Sequence, residues 1–207
     1  MTIDVVRAGL QEASQALTAL LANEPALAAV AAAGALMASS LKAGHKMYSC
    51  GNGGSLCDAM HFAEELSGRF RDDRPAYAAM SISDPGHMSC VGNDYGYEQV
   101  FSRFMQAHGR KGDLLLAIST SGTSKNVLAA VAAARLAGVH VVGLTGQAGS
   151  GLVLQSDIAI VTPAGRYADR VQELHIKCIH MFIEIVERAL VPQNYLQNNS
   201  KNQNELI

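Results

Sequence analysis

Two segments of the chain share one arrangement, which restricts the fold more than any other feature of the sequence. In "YSCGNGGS" (48–55) and "AISTSGTS" (117–124), a short strand pattern runs into a loop of small residues and then into a helical pattern. Short apolar strands that alternate with helices are typical of a parallel sheet with helices on both faces. Because ligands of open parallel sheets bind at the carboxyl ends of the strands, both loops are expected at one crevice.

The remaining pattern predicts the order of the helices and strands. Two helices come first, the second of which begins at Pro25 and ends near Gly44. Residues 84–108 are predicted to form loops and short helices. The other predicted helices span 54–67, 124–138 and 168–190, and the predicted strands span 46–50, 76–82, 113–119, 139–145 and 157–163.

Length and composition indicate one folded domain without basic character. A chain of 207 residues, of which 49% are hydrophobic and 16% charged, can bury a sizeable core. Residues 1–192 are predicted to form this single domain, and the polar residues 193–207 are predicted to be a disordered tail. The net charge of −2 predicts neither a nucleic-acid partner nor an anionic membrane surface.

Cysteine usage and the N-terminal region predict a cytoplasmic protein. The four cysteines lack CxxC spacing, which indicates reduced thiols and neither a disulfide framework nor a thiolate zinc site. The first residues contain no basic region followed by a continuous apolar run, so no signal peptide is predicted. The apolar segment 25–44 is mostly alanine and is interpreted as a packed helix, not as a membrane span.

The loop after the third strand is unusually rich in hydroxyl groups. It contains Ser119, Thr120, Ser121, Thr123 and Ser124 around a single glycine, and its last serine is predicted to be the N-cap of the next helix. The first backbone N–H groups of a helix and the positive end of its dipole favour an anion. A helix cap needs one hydroxyl group and this loop has five, so we interpret it as a phosphate-binding loop that also caps the helix.

The glycine loop after the first strand does not have the spacing of a nucleotide-binding motif. A GxGxxG pattern that starts at Gly51 requires glycine at position 56, where the chain has Leu56, and no GK[ST] follows. The glycines allow a sharp turn that brings backbone N–H groups near a ligand. Asn52 is then placed to bond a sugar hydroxyl group.

Two helices carry side chains that are suited to acid–base chemistry or to metal binding. His61 and Glu65 are four residues apart on one helix face, and imidazole and carboxylate groups at this separation can share a divalent metal. Gln172 and His180 are eight residues apart on one face of the last helix. Asp169 lies one turn before Gln172 on nearly the same side.

The spacing alone does not show that these two helices meet. His61 and His180, each taken singly, are also explained as structural histidines in a folded core. His175 falls on another face of the last helix and is not assigned to the cluster. A metal site and a purely structural function therefore both remain open at this point.

Four blocks of the sequence resemble the bacterial phosphoheptose isomerases, also called sedoheptulose 7-phosphate isomerases, of the SIS (sugar isomerase) superfamily. They occur in the order of that family, and the resemblance covers roughly residues 1–190. The blocks are "SCGNGGSLCDAMHFAEELSGRF", "SCVGNDYGYEQVFSR", "GDLLLAISTSGTSKNV" and "YADRVQELHIKCIH". Leu56 departs from the family, because some members have a polar residue there, but it removes none of the functional groups.

The resemblance implies both a fold and a reaction. The implied fold is α/β, an SIS-type three-layer sandwich with a five-stranded parallel sheet, flanking helices and an N-terminal helical pair used in oligomerisation. The implied assembly is a homotetramer with active sites at subunit interfaces. The implied reaction converts sedoheptulose 7-phosphate to D-glycero-D-manno-heptose 7-phosphate through an enediol, the first step of ADP-heptose biosynthesis for the lipopolysaccharide core.

The resemblance also implies roles for individual residues. Glu65 and His180 match the acid–base pair of the family. One zinc ion per subunit is implied, and the matching zinc ligands are His61, Glu65, Gln172 and His180. The matching substrate-binding residues are Asn52, Gly53, Gly54, Glu65, Asn93, Asp94, Ser119, Thr120, Ser121, Ser124 and Gln172.

Two questions stay open at the level of the sequence. A carboxylate bound tightly to zinc is a poor base, so either Glu65 leaves the metal during turnover or zinc is mainly structural.

The alternative function is a non-catalytic SIS-domain regulator of replication initiation, but such proteins lack the glutamate and the histidine found here at 65 and 180. A sugar-phosphate-sensing transcription factor would need a DNA-binding module, for which the chain has no room or basic segment. A nucleotide-dependent oxidoreductase is disfavoured by Leu56.

Overall fold

A five-stranded parallel sheet with the order β2-β1-β3-β4-β5 forms the centre of the molecule. The computed structural model describes residues 1–163, 165 and 167–196. The strands are β1 (Met47–Cys50), β2 (Ala79–Ser81), β3 (Leu114–Ile118), β4 (His140–Thr145) and β5 (Ile158–Val161). The α/β class and the five parallel strands predicted from the sequence are confirmed.

Helices cover both faces of the sheet. They are α1 (Thr2–Leu21), α2 (Glu24–Lys42), α3 (Gly54–Ser67), α4 (Pro85–Tyr95), α5 (Val100–His108), α6 (Lys125–Leu136), α7 (Gly151–Gln155) and α8 (Ala168–Leu190). A 3₁₀ turn over Tyr97–Gln99 joins α4 to α5, so residues 84–108 form the predicted short helices. The short helix α7 was not predicted, because five residues are too few to show a helical period.

The side chains of β3 show how the three layers are built. Leu114, Leu116 and Ile118 belong to the core cluster on one face, which includes residues of α1, α2, α3 and α8. Leu115 and Ala117 belong to the cluster on the opposite face, which includes residues of α4, α5, α6 and α7. All five residues are fully buried. Alternate side chains of one strand therefore enter two different cores, as expected for a parallel sheet covered on both faces.

The strand order brings the two small-residue loops together. β1 lies between β2 and β3, and Cys50 at the end of β1 pairs in register with Ala117 near the end of β3. The chain therefore leaves β1 towards β2 on one side and later returns to β3 on the other side of β1. This reversal is the switch point at which open α/β sheets bind ligands. The predicted crevice between the two loops is present.

Helix α2 has a composition that a membrane-spanning helix can also have. Its residues Glu24–Lys42 have a mean hydropathy of 1.4, and no other helix in the described part of the chain meets the same criteria of length and hydropathy. In the structure, Val30, Ala33 and Met37 of α2 are buried in the same core cluster as Phe182 of α8. The alanine-rich helix thus packs into the core, in contact with the cluster that contains α8 residues.

A short helical segment follows α8 at the start of the predicted tail. Residues 193–196 form a helical turn after α8, and the Tyr195 hydroxyl donates a hydrogen bond to Glu187 at 2.8 Å. The remainder of the predicted tail, 197–207, lies outside the described residues.

Candidate active site

Helices α3 and α8 bring three of the predicted side chains to one point. Nε2 of His61 lies 3.2 Å from Oε1 of Glu65 and 3.0 Å from Nε2 of His180. One ligand atom from each of the three residues lies within 4.8 Å of the other two. His61 and His180 are 119 residues apart in sequence. The convergence that spacing could not show is therefore present within one subunit.

These three residues, termed the triad below, have a geometry that fits a divalent metal ion. Ligand atoms bonded to a tetrahedral ion at about 2.0–2.1 Å are about 3.3 Å apart, close to the two distances just given. Nδ1 of His61 lies 3.3 Å from Oε1 of Glu64. A carboxylate near the far ring nitrogen favours the tautomer that leaves Nε2 free for a metal. The arrangement and the donor types therefore fit such an ion.

Burial shifts the ionisation of two members of the triad. Burial raises the pKa of Glu65, and the negative charge of Glu64 adds to this effect, while His61 opposes it. Burial lowers the pKa of His180, and the positive charges of His61, Lys177 and Arg71 act in the same direction. A neutral imidazole is the form that binds metals, because one of its ring nitrogens has a free lone pair.

Gln172 of α8 lies against the glycine loop. It lies on α8, eight residues before His180, and its side-chain amide packs against Gly54 at the start of α3. A Cβ atom at position 54 would lie 2.7 Å from both amide heteroatoms of Gln172. Glycine is therefore required at position 54 for this close approach. His61 lies two turns further along α3, about 10 Å from Gly54.

A pair of asparagines joins the glycine loop to the helix that follows the hydroxyl loop. Nδ2 of Asn52 donates to Oδ1 of Asn126 at 2.9 Å, and Nδ2 of Asn126 donates to Oδ1 of Asn52 at 2.8 Å. Asn126 is 4% exposed, so this reciprocal amide pair is largely shielded from water. The Tyr97 hydroxyl also donates to Oδ1 of Asn52, at 3.4 Å. Asn52 is therefore held in a fixed orientation at the crevice.

The hydroxyl groups of the second loop point towards one another. Oγ of Ser119 lies 3.0 Å from Oγ of Ser124 and accepts a hydrogen bond from the Gly122 N–H at 3.1 Å. Oγ of Ser121 accepts hydrogen bonds from the N–H and the hydroxyl group of Thr123 at 3.3 and 3.0 Å. Ser124 is the N-cap of α6, as predicted, but its side chain makes no capping hydrogen bond. This hydroxyl group is therefore available to a ligand.

Gly122 and Thr120 fix the shape of this loop. Gly122 has a φ of 65°, and a Cβ atom there would lie 2.1 Å from Oγ of Ser150, so only glycine fits. The carbonyl oxygen of Thr120 accepts hydrogen bonds from the Gly146 N–H at 3.0 Å and from the Thr145 hydroxyl at 3.3 Å. These contacts tie the hydroxyl loop to the end of β4.

A cavity of about 290 Å³ lies between the two loops. Lys125, the first residue of α6, and Glu98 of the 3₁₀ turn form a salt bridge of 3.0 Å at its rim. The cavity is lined by Asn52, Tyr97, Glu98, Ser124, Lys125 and Asn126. The lining offers amide, hydroxyl and ammonium groups to a polar ligand, together with the carboxylate of Glu98.

Other predicted residues lie apart from the triad. Asn93 and Asp94 are exposed near the end of α4, and Nδ2 of Asn93 donates to Oδ1 of Asp94 at 2.7 Å. Gly53 is the exposed N-cap of α3. Asp169 is exposed at the start of α8, where its carboxylate accepts a hydrogen bond from the Arg170 N–H at 2.8 Å. His175 is fully buried on a different face of α8, as predicted, and burial lowers its pKa to about 4.

Two residues near the site were not found from the sequence. Asn126 follows the hydroxyl loop by two residues, but an asparagine in the first turn of a helix is ordinarily explained as a solvated polar group. Arg74 occurs in the charged segment "RDDRP", which is typical of an exposed loop. Both side chains are in fact buried. Their side-chain partners, Asn52 and Glu187, lie 74 and 113 residues away, so the neighbouring sequence gave no signal of these contacts.

The fold and the two loops define a domain of the SIS class. Residues 10–146 match the family model described as "SIS domain". This match includes both small-residue loops and the first two members of the triad.

Comparisons with known proteins define the family within this class. The phosphoheptose isomerase of Enterobacter sp. is 53% identical over 188 residues, which cover 91% of this chain and 98% of that protein. That of Edwardsiella ictaluri is 52% identical over 187 residues, with 90% and 97% covered. The structure of phosphoheptose isomerase GmhA from Neisseria gonorrhoeae is 37% identical with a TM-score of 0.81, with 90% of this chain and 99% of that chain covered. The chain belongs to the phosphoheptose isomerase family of SIS-domain proteins.

Proposed function

We propose that this protein is an aldose–ketose isomerase that converts sedoheptulose 7-phosphate to D-glycero-D-manno-heptose 7-phosphate through an enediol. The observation that carries this proposal is that ligand atoms of Glu65, His61 and His180 lie within 4.8 Å of one another. The same two helices also contact the glycine loop, since α3 begins at Gly54 and Gln172 of α8 packs against Gly54. Relatives that are 50% identical or more, over most of both chains, are phosphoheptose isomerases. The product feeds ADP-heptose formation for the lipopolysaccharide core.

The hydroxyl loop is proposed to hold the phosphate group of the substrate. The hydroxyl groups of Ser121 and Ser124 lie 3.5 and 3.0 Å from that of Ser119, just before α6. The first N–H groups of that helix add further donors. Binding of a remote phosphate group contributes to catalysis when it holds the reacting carbons in place.

The sugar chain is proposed to cross the crevice between phosphate and triad. Asn52, Gly53 and Gly54 of the glycine loop, together with Thr120 and Gln172, are assigned to substrate contacts along this path. Asn93 and Asp94, which are exposed in the single chain, are assigned to the same substrate. Their position suits an active site at a subunit interface, where the boundary of the site includes a second protomer.

Glu65 and His180 are proposed to perform the proton transfers. Glu65 takes a proton from C1 of the open-chain ketose, while His180 donates a proton to the oxygen on C2, which forms the enediol. Return of a proton to C2 and loss of the proton on the C1 oxygen then yield the aldose. The raised pKa of Glu65, caused mainly by burial, makes its carboxylate a stronger base than an exposed glutamate.

The proposed cofactor is one zinc ion per subunit. When bound by His61, Glu65, Gln172 and His180, zinc supplies a Lewis acid for the oxygen of the reacting carbonyl group. A carboxylate bound tightly to zinc is a weak base, so either Glu65 leaves the metal during turnover or the metal has a mainly structural function. Activity of chelated, folded protein would assign the metal a structural function, whereas activity that returns only with added zinc would assign it a function in the reaction.

The proposed assembly is a homotetramer in which the N-terminal helices take part. Helix α1 exposes Ile3, Val5, Leu10 and Leu21, each more than 60% accessible to solvent in the single chain. An apolar surface of this kind is typical of a subunit interface. The proposed location is the cytoplasm, and neither a nucleic acid nor a membrane is proposed as a partner.

The direct test is incubation of the purified protein with sedoheptulose 7-phosphate and detection of the aldose. Glu65→Gln is expected to abolish turnover, because the amide is not a base, while binding of the sugar phosphate remains measurable by calorimetry. Glu173→Gln, on the exposed face of α8, is the matched control and is expected to retain full activity. Full activity of the Glu65 variant would refute its function as the base.

A non-catalytic regulator is the other outcome of this test. Such a protein would bind sugar phosphate without any turnover in the wild type. The presence of Glu65, His61 and His180 in contact distance disfavours it.

A further inference from the structure

The loop between α3 and β2 carries a buried cation. The guanidinium group of Arg74 is 0% exposed, and its Nε lies 2.8 Å from Oε1 of Glu187, whose side chain is 1% exposed. Charged side chains are rarely buried without complete pairing, because removal from water is costly. The remaining N–H groups of Arg74 therefore need partners.

Those partners are the carbonyl groups at the end of α3. Nη2 of Arg74 donates to the carbonyl oxygen of Glu65, and Nη1 donates to those of Leu66 at 2.8 Å and Gly68 at 3.2 Å. The last carbonyl groups of a helix have no partner within the helix, and a cation there also interacts favourably with the helix dipole. Arg74 thus binds the peptide group of Glu65 itself, a member of the triad.

Glu187, which pairs with Arg74, lies on α8, the helix that carries His180. Glu187 follows His180 by seven residues on α8, which places both on the same face and about 10 Å apart along the helix. The second carboxylate oxygen of Glu187 accepts a hydrogen bond from the Tyr195 hydroxyl at 2.8 Å. Arg74 therefore bridges the end of α3 and one fixed point on α8.

We propose that Arg74 is a positioning residue for the isomerase reaction, which sets the distance and the axial offset between α3 and α8 at the triad. This proposal rests on the proposed function. The guanidinium group has a planar, rigid set of donors, and it here engages the carbonyl groups of Glu65 and Leu66 in α3, that of the C-cap Gly68, and one carboxylate of α8. A small relative displacement of the two helices would separate His61 and Glu65 from His180.

A positioning function of Arg74 predicts a different result from a contribution of Arg74 to stability alone. A buried ion pair replaced by apolar residues of similar volume often leaves a protein equally stable or more stable. The double variant Arg74→Met/Glu187→Leu therefore keeps the folded state but removes the rigid bridge. A structural function predicts normal activity in this variant, whereas a positioning function predicts a defective site.

The test measures folding, metal binding and kinetics separately. The double variant is expected to unfold cooperatively near the wild-type urea midpoint. Its affinity for zinc, measured on metal-depleted protein by competition with a chelating dye, is expected to fall about tenfold or more. Its kcat is expected to fall by a similar factor, while KM for sedoheptulose 7-phosphate changes little because the hydroxyl loop is untouched.

Two single variants complete the design. Arg74→Lys retains a positive charge beside Glu187 but loses the planar donors to α3. Its zinc affinity and its kcat are therefore expected to lie between those of the wild type and those of the double variant. If the double variant does not fold, Arg74→Lys alone tests whether Arg74 has a positioning function. Arg188→Met, which removes an exposed arginine from the same region of α8, is the control and is expected to match the wild type.

Three results have distinct meanings. Wild-type zinc affinity and kcat in a folded double variant, or in Arg74→Lys when the double variant does not fold, would overturn the positioning function. A loss of zinc affinity together with a loss of kcat supports it. If the wild type binds zinc tightly, the double variant binds it weakly, and neither turns over the substrate, the proposed function fails but the effect of Arg74 on the triad stands.

Discussion

Replacement of Asp58 by asparagine is expected to stabilise the folded protein at pH 8 and to have a smaller stabilising effect at pH 4. Asp58 lies on α3, three residues before His61, and is half-buried. Its Oδ2 atom is buried and has no hydrogen-bond partner among the described residues. Burial raises the pKa of this carboxyl group from 3.8 to about 6, and positive charge on His61 acts in the opposite direction.

The sign and the magnitude follow from these two pKa values. The folded state holds the proton of Asp58 up to about pH 6, whereas the unfolded state releases it near 3.8. The stabilising effect of this proton is fully present below pH 3.8 and is lost as the pH rises through about 6. The interval corresponds to about 3 kcal/mol at about 1.4 kcal/mol per pH unit. Because the side chain is half-exposed, solvent screening reduces the expected effect to about 1 kcal/mol.

Urea unfolding of metal-free protein in the presence of a chelator measures this effect. The free energy of unfolding of Asp58→Asn, minus that of the wild type, is expected to increase by about 1 kcal/mol between pH 4 and pH 8. Effects that do not depend on pH, such as a lost or gained contact of the amide, cancel in this comparison. Asp72→Asn, at an exposed position, is expected to show no such increase. A constant difference for Asp58→Asn would show that its carboxylate is solvated in the folded state.

Three further outcomes are expected. Gly54→Ala is expected to change stability by less than about 0.5 kcal/mol, because the flexible Gln172 amide can move away from the new methyl group; calorimetry should nevertheless show weaker binding of zinc and of the sugar phosphate. Asn126→Ala leaves the Asn52 amide without its reciprocal partner, and urea unfolding should show a loss of about 1–3 kcal/mol. The kcat/KM for sedoheptulose 7-phosphate should rise with pH on the acid side, with a midpoint above the ordinary pKa of 4.5, because Glu65 must lose its proton and burial raises its pKa; a midpoint at or below 4.5 in a stopped assay would contradict the assignment of the base.

The sheet could be predicted because its signals are local. The strands β3 and β4 appear in the sequence as short apolar runs, and each of the two small-residue loops stands between a strand and a helix. The placement of the two loops at one crevice then follows from the general geometry of parallel sheets. The helix after the hydroxyl loop was predicted from its N-cap Ser124, which is confirmed.

The site depends on contacts that no local pattern contains. His61 and Glu65 share a helix face, which the spacing showed, but their meeting with His180 depends on how α3 and α8 pack. Only the resemblance to a known family predicted that meeting. Neither local patterns nor the family resemblance predicted the burial of Arg74 and Asn126. Each is a polar residue in a segment typical of the surface, and each pairs with a side chain that is distant in sequence.

Helix α8 is the last long helix of the described chain, and it supplies His180 to the triad, whose other two members lie on α3. During synthesis, the sheet strands and both loops leave the ribosome before this helix does. A nascent chain that ends before residue 168 therefore contains the hydroxyl loop but only two of the three residues of the triad. Under the proposed function, isomerase activity appears only after α8 has been synthesised and has docked against α3.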